Sequence, residues 1–187
     1  MYMMKFSRYL WKSAINLLSL QHLNILIMSQ FCIYVKLQPF VSQFLQHSLG
    51  NPVEFPPQSV ENGTIHCFID RLPAGKQPDV AADDLTAIRI PDSKTKPAAN
   101  YNYLSPRGKN AVVECCELLF NRNLWVELGD MSALGCKTMT AIYAWCEKHG
   151  ISIDYADTIR QRYYRMRDNY TSRGIDLRKK SRNRKGD

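Results

Sequence analysis

The spacing of apolar residues changes character near residue 100, and that change restricts the chain to a small mixed unit followed by helices. Before it, strand-like and helical runs alternate and are cut by proline. Phe31 to Leu37 alternates β-branched, aromatic and polar residues, the pattern of a strand. Gln38–Pro39 opens a helix with Phe40, Val41, Phe44, Leu45 and Leu49 at helical spacing, and Gly50 closes it. Asn51 to Pro57 is a short extended piece that its prolines keep out of a sheet interior. Ser59 caps a short helix with Val60, Ile65, Phe68, Ile69 and Leu72 turned inward. Residues 72–79 form a loop and Leu85 to Pro91 a second strand. The polar stretch Asp92 to Asn100 is the expected domain boundary.

Beyond the boundary only helical spacing remains. Ser105–Pro106 starts a helix whose apolar stripe is Ala111, Val112, Cys115, Leu118 and Leu119. It continues or kinks into Leu124, Trp125 and Leu128 until Gly129 breaks it. A second helix from about Cys136 to Lys148 buries Met139, Ile142, Tyr143 and Cys146. The last runs from about Tyr155 to Ser172, with Ile159, Tyr163, Met166 and Tyr170 inside and Gly174 as its stop. The fold class is therefore read as α+β. A small mixed unit over 28–98 precedes a three-helix, helix-turn-helix-like unit over 101–175, and a basic tail follows over 176–187. No internal repeat is present.

Residues 1–27 pair a basic start with a largely apolar run over Ser13 to Met28, the outline of a signal peptide or anchor. Asn16, Gln21, His22 and Asn24 interrupt that run, and no small-x-small cleavage site follows it. The segment reads as an upstream extension with no part in the fold, Met28 being a sensible start. An additional helix and a membrane-directing segment are the alternatives. A membrane partner is not expected.

Charge is distributed as unevenly as hydropathy. The 29 residues from Ile159 to Asp187 hold eleven Lys and Arg against three Asp, a balance of +8, which is the net charge of the whole chain. Eight of the eleven are arginine, whose planar fork suits phosphates and guanine edges. Charge gathered at one end implies a surface that seeks a polyanion. Three consecutive helices, the most arginine-rich one last, have the outline of a DNA-binding helical domain. On the last helix, Ile159, Tyr163 and Met166 face inward. Arg160, Tyr164 and Arg167 share a second face, and Arg162, Arg165 and Asn169 a third. Gln161 and Asn169 add amides able to read adenine edges.

Arg173 and the tail residues Arg178, Lys179, Lys180, Arg182, Arg184 and Lys185 would add salt-sensitive, sequence-independent affinity. The tail lies past Gly174 without an apolar anchor after Leu177, so it is expected to be mobile, whereas the helix arginines are fixed. The plainer reading is a solvated arginine face with an untasked basic tail. Moreover, the middle helix and the segment Gly150 to Asp154 are longer than the usual helix-turn-helix pattern.

Catalytic signatures are missing: the chain has no GxxxxGK[ST], HExxH, GxSxG or GxGxxG pattern. Asp79, Asp83, Asp84 and Asp92 fall in a loop and read as a solvated acidic segment rather than a metal cluster. The cysteines Cys32, Cys67, Cys115, Cys116, Cys136 and Cys146 have no CxxC or Cys/His ligand spacing and read as reduced, mostly buried thiols. His47, His66 and His149 have no partner at ligand or triad spacing. No cofactor, metal or small-molecule substrate is expected, and the sequence leaves the oligomeric state open. Tyr101, Tyr103, Trp125, Tyr143, Trp145, Tyr163, Tyr164 and Tyr170 offer stacking platforms for a single strand, or pack the core. The expected function is non-enzymatic binding of nucleic acid, duplex DNA favoured. The alternatives are a protein-interaction adaptor with an incidental basic tail and a binder of RNA or single strands.

Several runs carry a resemblance. They are Ser105–Pro106–Arg107 through Trp125, Leu134 to Lys137, Ala141 to Ile151, Tyr163 to Arg167, and Ile175 to Lys180. Together they resemble small uncharacterised proteins of bacterial prophages and conjugative elements, over about residues 28–182. The resemblance implies a bacterial, cytosolic setting and carries no assigned activity.

Overall fold

The computed structural model describes residues 31–133, 135 and 137–174. The leader over 1–27 and the tail over 176–187 lie outside them. The described chain is α+β, with two small antiparallel sheets and five helices. Strand β1 (Cys32–Val35) pairs with β3 (Thr86–Arg89), Ile33 opposite Ile88 and Val35 opposite Thr86. Every β1 side chain is buried, so both faces of this strand are covered. Val53 bridges to Ile88 from the other side. Its N–H donates to Ala87 O at 2.9 Å, and its carbonyl accepts from Arg89 N at 2.8 Å. Proline lacks an N–H to donate, so with Pro52 beside it this third strand stays one residue long, at the sheet edge.

Helix α1 (Pro39–Leu49) starts on proline and buries Phe40, Val41, Phe44 and Leu45. Gly50 closes it at φ +85°, its N–H donating to Gln46 O. Helix α2 (Val60–Phe68) is capped by Ser59, whose Oγ accepts from Asn62 N at 3.1 Å. Val60 was expected to pack inward but is exposed. The inner face is set by Glu61, Ile65 and Ile69 at intervals of four, and Val60 lies about 100° away from it. Two-residue strands β2 (Ile69–Asp70) and β4 (Tyr103–Leu104) then pair at the mouth of the long helix.

That helix, α3 (Pro106–Ala133), is unbroken, and Gly129 lies inside it. A helical glycine costs about 1 kcal/mol, which a long packed helix absorbs. Over residues 106–129 the buried positions are Gly108, Val112, Cys116, Phe120, Leu124 and Leu128, a row of fours. This differs from the expected stripe: Leu118 is exposed, and Ala111, Cys115 and Leu119 are only half-buried. Each step of four turns about 40° past a full rotation, so the buried row winds around the helix. Its start therefore meets α2, where a Cβ on Gly108 would stand 2.9 Å from Leu104 Cδ2 and 3.0 Å from Phe68 Cβ. Its middle and end meet α1, helix α4 (Thr138–Lys148) and helix α5 (Ala156–Ser172).

The phenyl ring of Phe120 occupies the junction. Its centroid lies 5.3 Å from Phe40, 5.4 Å from Phe44 and 5.5 Å from Trp145, edge-on to the last two. The segments on either side of residue 98 thus share one core. The intervening stretch is tied down as well. Lys96 Nζ donates to His66 O at 2.8 Å and Ile69 O at 2.9 Å, and Asp92 accepts from the Ala98 N–H.

Helix α4 ends at Gly150, φ +63°, in a paired-hydrogen-bond stop. Gly150 N donates to Glu147 O, and Ile151 N donates to Cys146 O. A Cβ there would sit 2.5 Å from His47 Cδ2, so only glycine fits. The chain reverses through a 3₁₀ turn (Ile153–Tyr155) pinned by Gln43, whose Oε1 accepts from Ser152 N at 2.9 Å. Glu127 of α3 also holds the end of α4. Burial pushes its carboxyl up. Hydrogen bonds from Lys148 at 2.8 Å and His149 at 3.1 Å, with their charge, outweigh that and keep it below the usual carboxylate range.

Replacing Phe120 with Ala removes the ring that three helices share. Denaturant unfolding should show a loss of about 3–5 kcal/mol in one cooperative transition. A second transition, with half of the structure intact, would contradict a single core.

Candidate nucleic-acid interface

Helix α5 is polar enough to need outside help to stay helical, and it gets that help along one edge. Ala156, Ile159 and Tyr163 are buried, and Met166 is half-buried. Trp125 of α3 stands 5.5 Å from the Tyr163 ring and 5.2 Å from the Tyr170 ring. The rest of the helix faces solvent: Gln161, Arg165 and Asn169 lie away from that edge, Arg167 flanks it one turn after Tyr163, and all four are exposed, as is Arg173 just past the helix end.

The helix arginines then divide. Arg167 lies 4.6 Å over the half-exposed Tyr164 ring and bonds the Asp168 carboxylate at 3.2 Å. Arg160 pairs with Asp157, one turn earlier, at 3.1 Å. Among the described residues, Arg165 reaches only the Gln161 carbonyl, at 3.4 Å. Arg162 turns inward: one amine donates to Glu117 of α3, and its guanidinium lies 5.4 Å from the Phe40 ring and 5.3 Å from the Phe120 ring. Its side chain is 20% exposed. Arg160, Tyr164 and Arg167 are thus together on an outer face. The row expected to hold Arg162, Arg165 and Asn169 borders a cleft against α1 and α3. Four arginines against Asp157 and Asp168 leave this helix two net positive charges, and Glu117 of α3 engages one of its arginines. Arg178, Lys179, Lys180, Arg182, Arg184 and Lys185 lie outside the described residues.

Residues of other proposed chemistries are scattered. Asp79 pairs with Lys109 at 2.6 Å, Asp84 pairs with Lys36 at 3.0 Å, and Asp92 holds a backbone N–H. Burial pushes the Cys116 thiol up to about 12 and that of Cys146 up to about 11, so neither offers a thiolate near neutral pH. Cys32, Cys67, Cys115, Cys116 and Cys146 are all unpaired. Trp145 is fully buried and serves the core, whereas Tyr143 and Tyr170, expected on the inner faces of their helices, reach solvent instead. Two further cation–aromatic pairs lie at the other end of α3, Arg71 over Tyr101 at 5.1 Å and Lys76 over Tyr103 at 5.0 Å. No described helix is long and apolar enough to cross a membrane. Comparison with protein-family models, curated proteins and solved structures finds no match for this chain.

Sequence reasoning missed Glu117 and the cleft. Glu117 stands 45 positions from Arg162, and no local pattern links the two. Arg162→Ala strands a half-buried carboxylate and should lower unfolding free energy by roughly 2–3 kcal/mol. Arg165→Ala, on the exposed edge, should change it by about 0.5 kcal/mol or less. Equal, small losses for both would contradict the inward placement of Arg162.

Proposed function

We propose that this is a non-enzymatic nucleic-acid-binding protein, with duplex DNA the favoured partner, serving a mobile element in the bacterial cytoplasm. The observation that carries the reading is the outer edge of α5. Gln161, Tyr164, Arg165, Arg167 and Asn169 offer forks, amides and a stacked ring from a helix whose opposite edge is buried. A guanidinium already lying on an aromatic face has less freedom left to lose on docking, which favours Arg167 as a reader of base edges or phosphates. Arg160 supports it from the same face. Arg162 acts as a positioning residue, holding α5 on α3.

The net positive charge comes mostly from Arg173 and the segment beyond, which carries seven cations against Asp176 and Asp187. The tail accordingly supplies most of the affinity and the helix the direction. A protein partner is the second reading. It is favoured by a cleft of about 550 Å³ on α4, lined in part by Tyr143, Ala144, Ile151 and Ile153.

A salt titration of duplex binding tests the proposal. The logarithm of affinity should fall linearly with the logarithm of salt, with a slope of about −0.9 for each phosphate bound. Truncation after Leu177 should shallow that slope by about one unit for each phosphate the tail no longer reaches, with sequence preference retained. Arg167→Ala should erode preference by roughly 1–3 kcal/mol while the fold survives. Flat, weak binding to every duplex would contradict the reading, and a preference for unpaired strands would move it to RNA or single-stranded DNA.

A further inference from the structure

Three helices meet in a polar cleft of about 280 Å³ beside the outer edge of α5. Thr158, Arg162, Arg165 and Asn169 form one side, at steps of four, three and four, which places them on a single stripe of the helix. Asn121 of α3 and the start of α1, at Gln38 and Phe40, form the other. Among the described residues, no acidic side chain lines the space. Helix α1 begins there without a side-chain cap and without an acidic residue in its first turn, so the positive end of its dipole adds to the two guanidinium groups. Glu117 engages one amine of Arg162, and the other, Nη1, is buried without a partner among the described residues, as is Asn121 Oδ1. A buried polar atom left unpaired is costly, and more so when it belongs to a charged group. An anion entering the cleft would accept from Arg162 Nη1 and remove that cost there, and Asn121 would meet the same anion by donating from its amide nitrogen, since its oxygen is itself an acceptor.

We propose that this cleft is a phosphate-binding site. Arg162 and Arg165 hold the phosphate oxygens, and Thr158, Asn121 and Asn169 complete their hydrogen bonds. The cleft lies at the small end of ligand pockets, so it receives the phosphate and its first substituent, not a whole strand. The phosphate is either an internucleotide phosphate of a bound strand or the phosphomonoester of a free nucleotide. The site rests on the cleft and does not depend on duplex binding.

Inorganic phosphate titrated into the full chain, with ionic strength held constant by chloride, should raise the unfolding temperature saturably. Arg165→Ala should weaken that apparent affinity by about tenfold or more, as expected for removing a charge-assisted bond. Its exposed position means that the unliganded unfolding temperature should shift little, and the phosphate response is read against each variant's own unliganded value. Asn121→Asp, which introduces a carboxylate, should abolish the phosphate response, and Arg173→Ala should leave it intact. Competition then identifies the source. Displacement of phosphate by duplex assigns the site to a strand, whereas binding of a nucleoside 5′-monophosphate unaffected by duplex assigns it to a free nucleotide. No saturable rise, or the same rise in Arg165→Ala and Asn121→Asp as in the wild type, would overturn the proposal. Duplex affinity measured on the same samples keeps that failure distinct from a failure of nucleic-acid binding.

Discussion

The ring of Phe120 is the contact on which the arrangement of this protein depends. It stands midway along α3, against Phe40 and Phe44 of α1, Trp145 of α4 and the guanidinium of Arg162 from α5. Edge-on aromatic contacts of this kind add about 0.5–1.5 kcal/mol each beyond the apolar area they bury. They also set orientation, because a tilted ring accepts its neighbours only at certain angles. The strand-bearing amino-terminal part is therefore packed into the helical part, and α1 is as much a member of the helical core as α4.

The placement of α5 follows from the same centre. An arginine-rich helix has little apolar surface to bury, and only Ala156, Ile159 and Tyr163 are fully enclosed. Arg162 compensates by ion-pairing with Glu117 while its planar group lies over two phenyl rings. One arginine is thus committed to holding the helix, which leaves Arg165 and Arg167 on the outer edge. Arg162 also brings α5 against the uncapped start of α1, and the cleft between them collects donors without a carboxylate. Anchoring and anion recognition are consequences of the same packing.

The elements legible in the sequence were those at least one full period long: β1, β3, α1, α4 and α5 all lie within a few residues of their apolar runs. The two-residue strands β2 and β4 are too short to leave any alternation. On α3, Leu118 and Leu119 suggested a straight stripe, but a helix that meets different neighbours along its length buries a row that winds, and Phe120 belongs to that row. The polar stretch Asp92 to Asn100 looks like a linker because its ties, through Lys96 and Asp92, are hydrogen bonds that hydropathy does not register. Periodicity found Ile159, Tyr163 and Met166 on the inner side of α5, but it also placed there Tyr170, which reaches solvent near the helix end, and it could not separate Arg162 from Arg165, since that distinction is made by Glu117 in another helix. The cleft needed Gln38 and Asn121, which are unremarkable in their own segments.

The central claim is that the outer edge of α5 is the surface that meets a polyanion. Backbone amide shifts of the full chain, followed while a random-sequence duplex is titrated at low salt, test it most directly. The expected result is a contiguous set of shifts at Gln161, Tyr164, Arg165, Arg167, Asn169 and Arg173 that fades as salt is raised. Shifts confined to Tyr143 on α4 and to Ile151 and Ile153 in the turn after it, or none at all along α5, would contradict it.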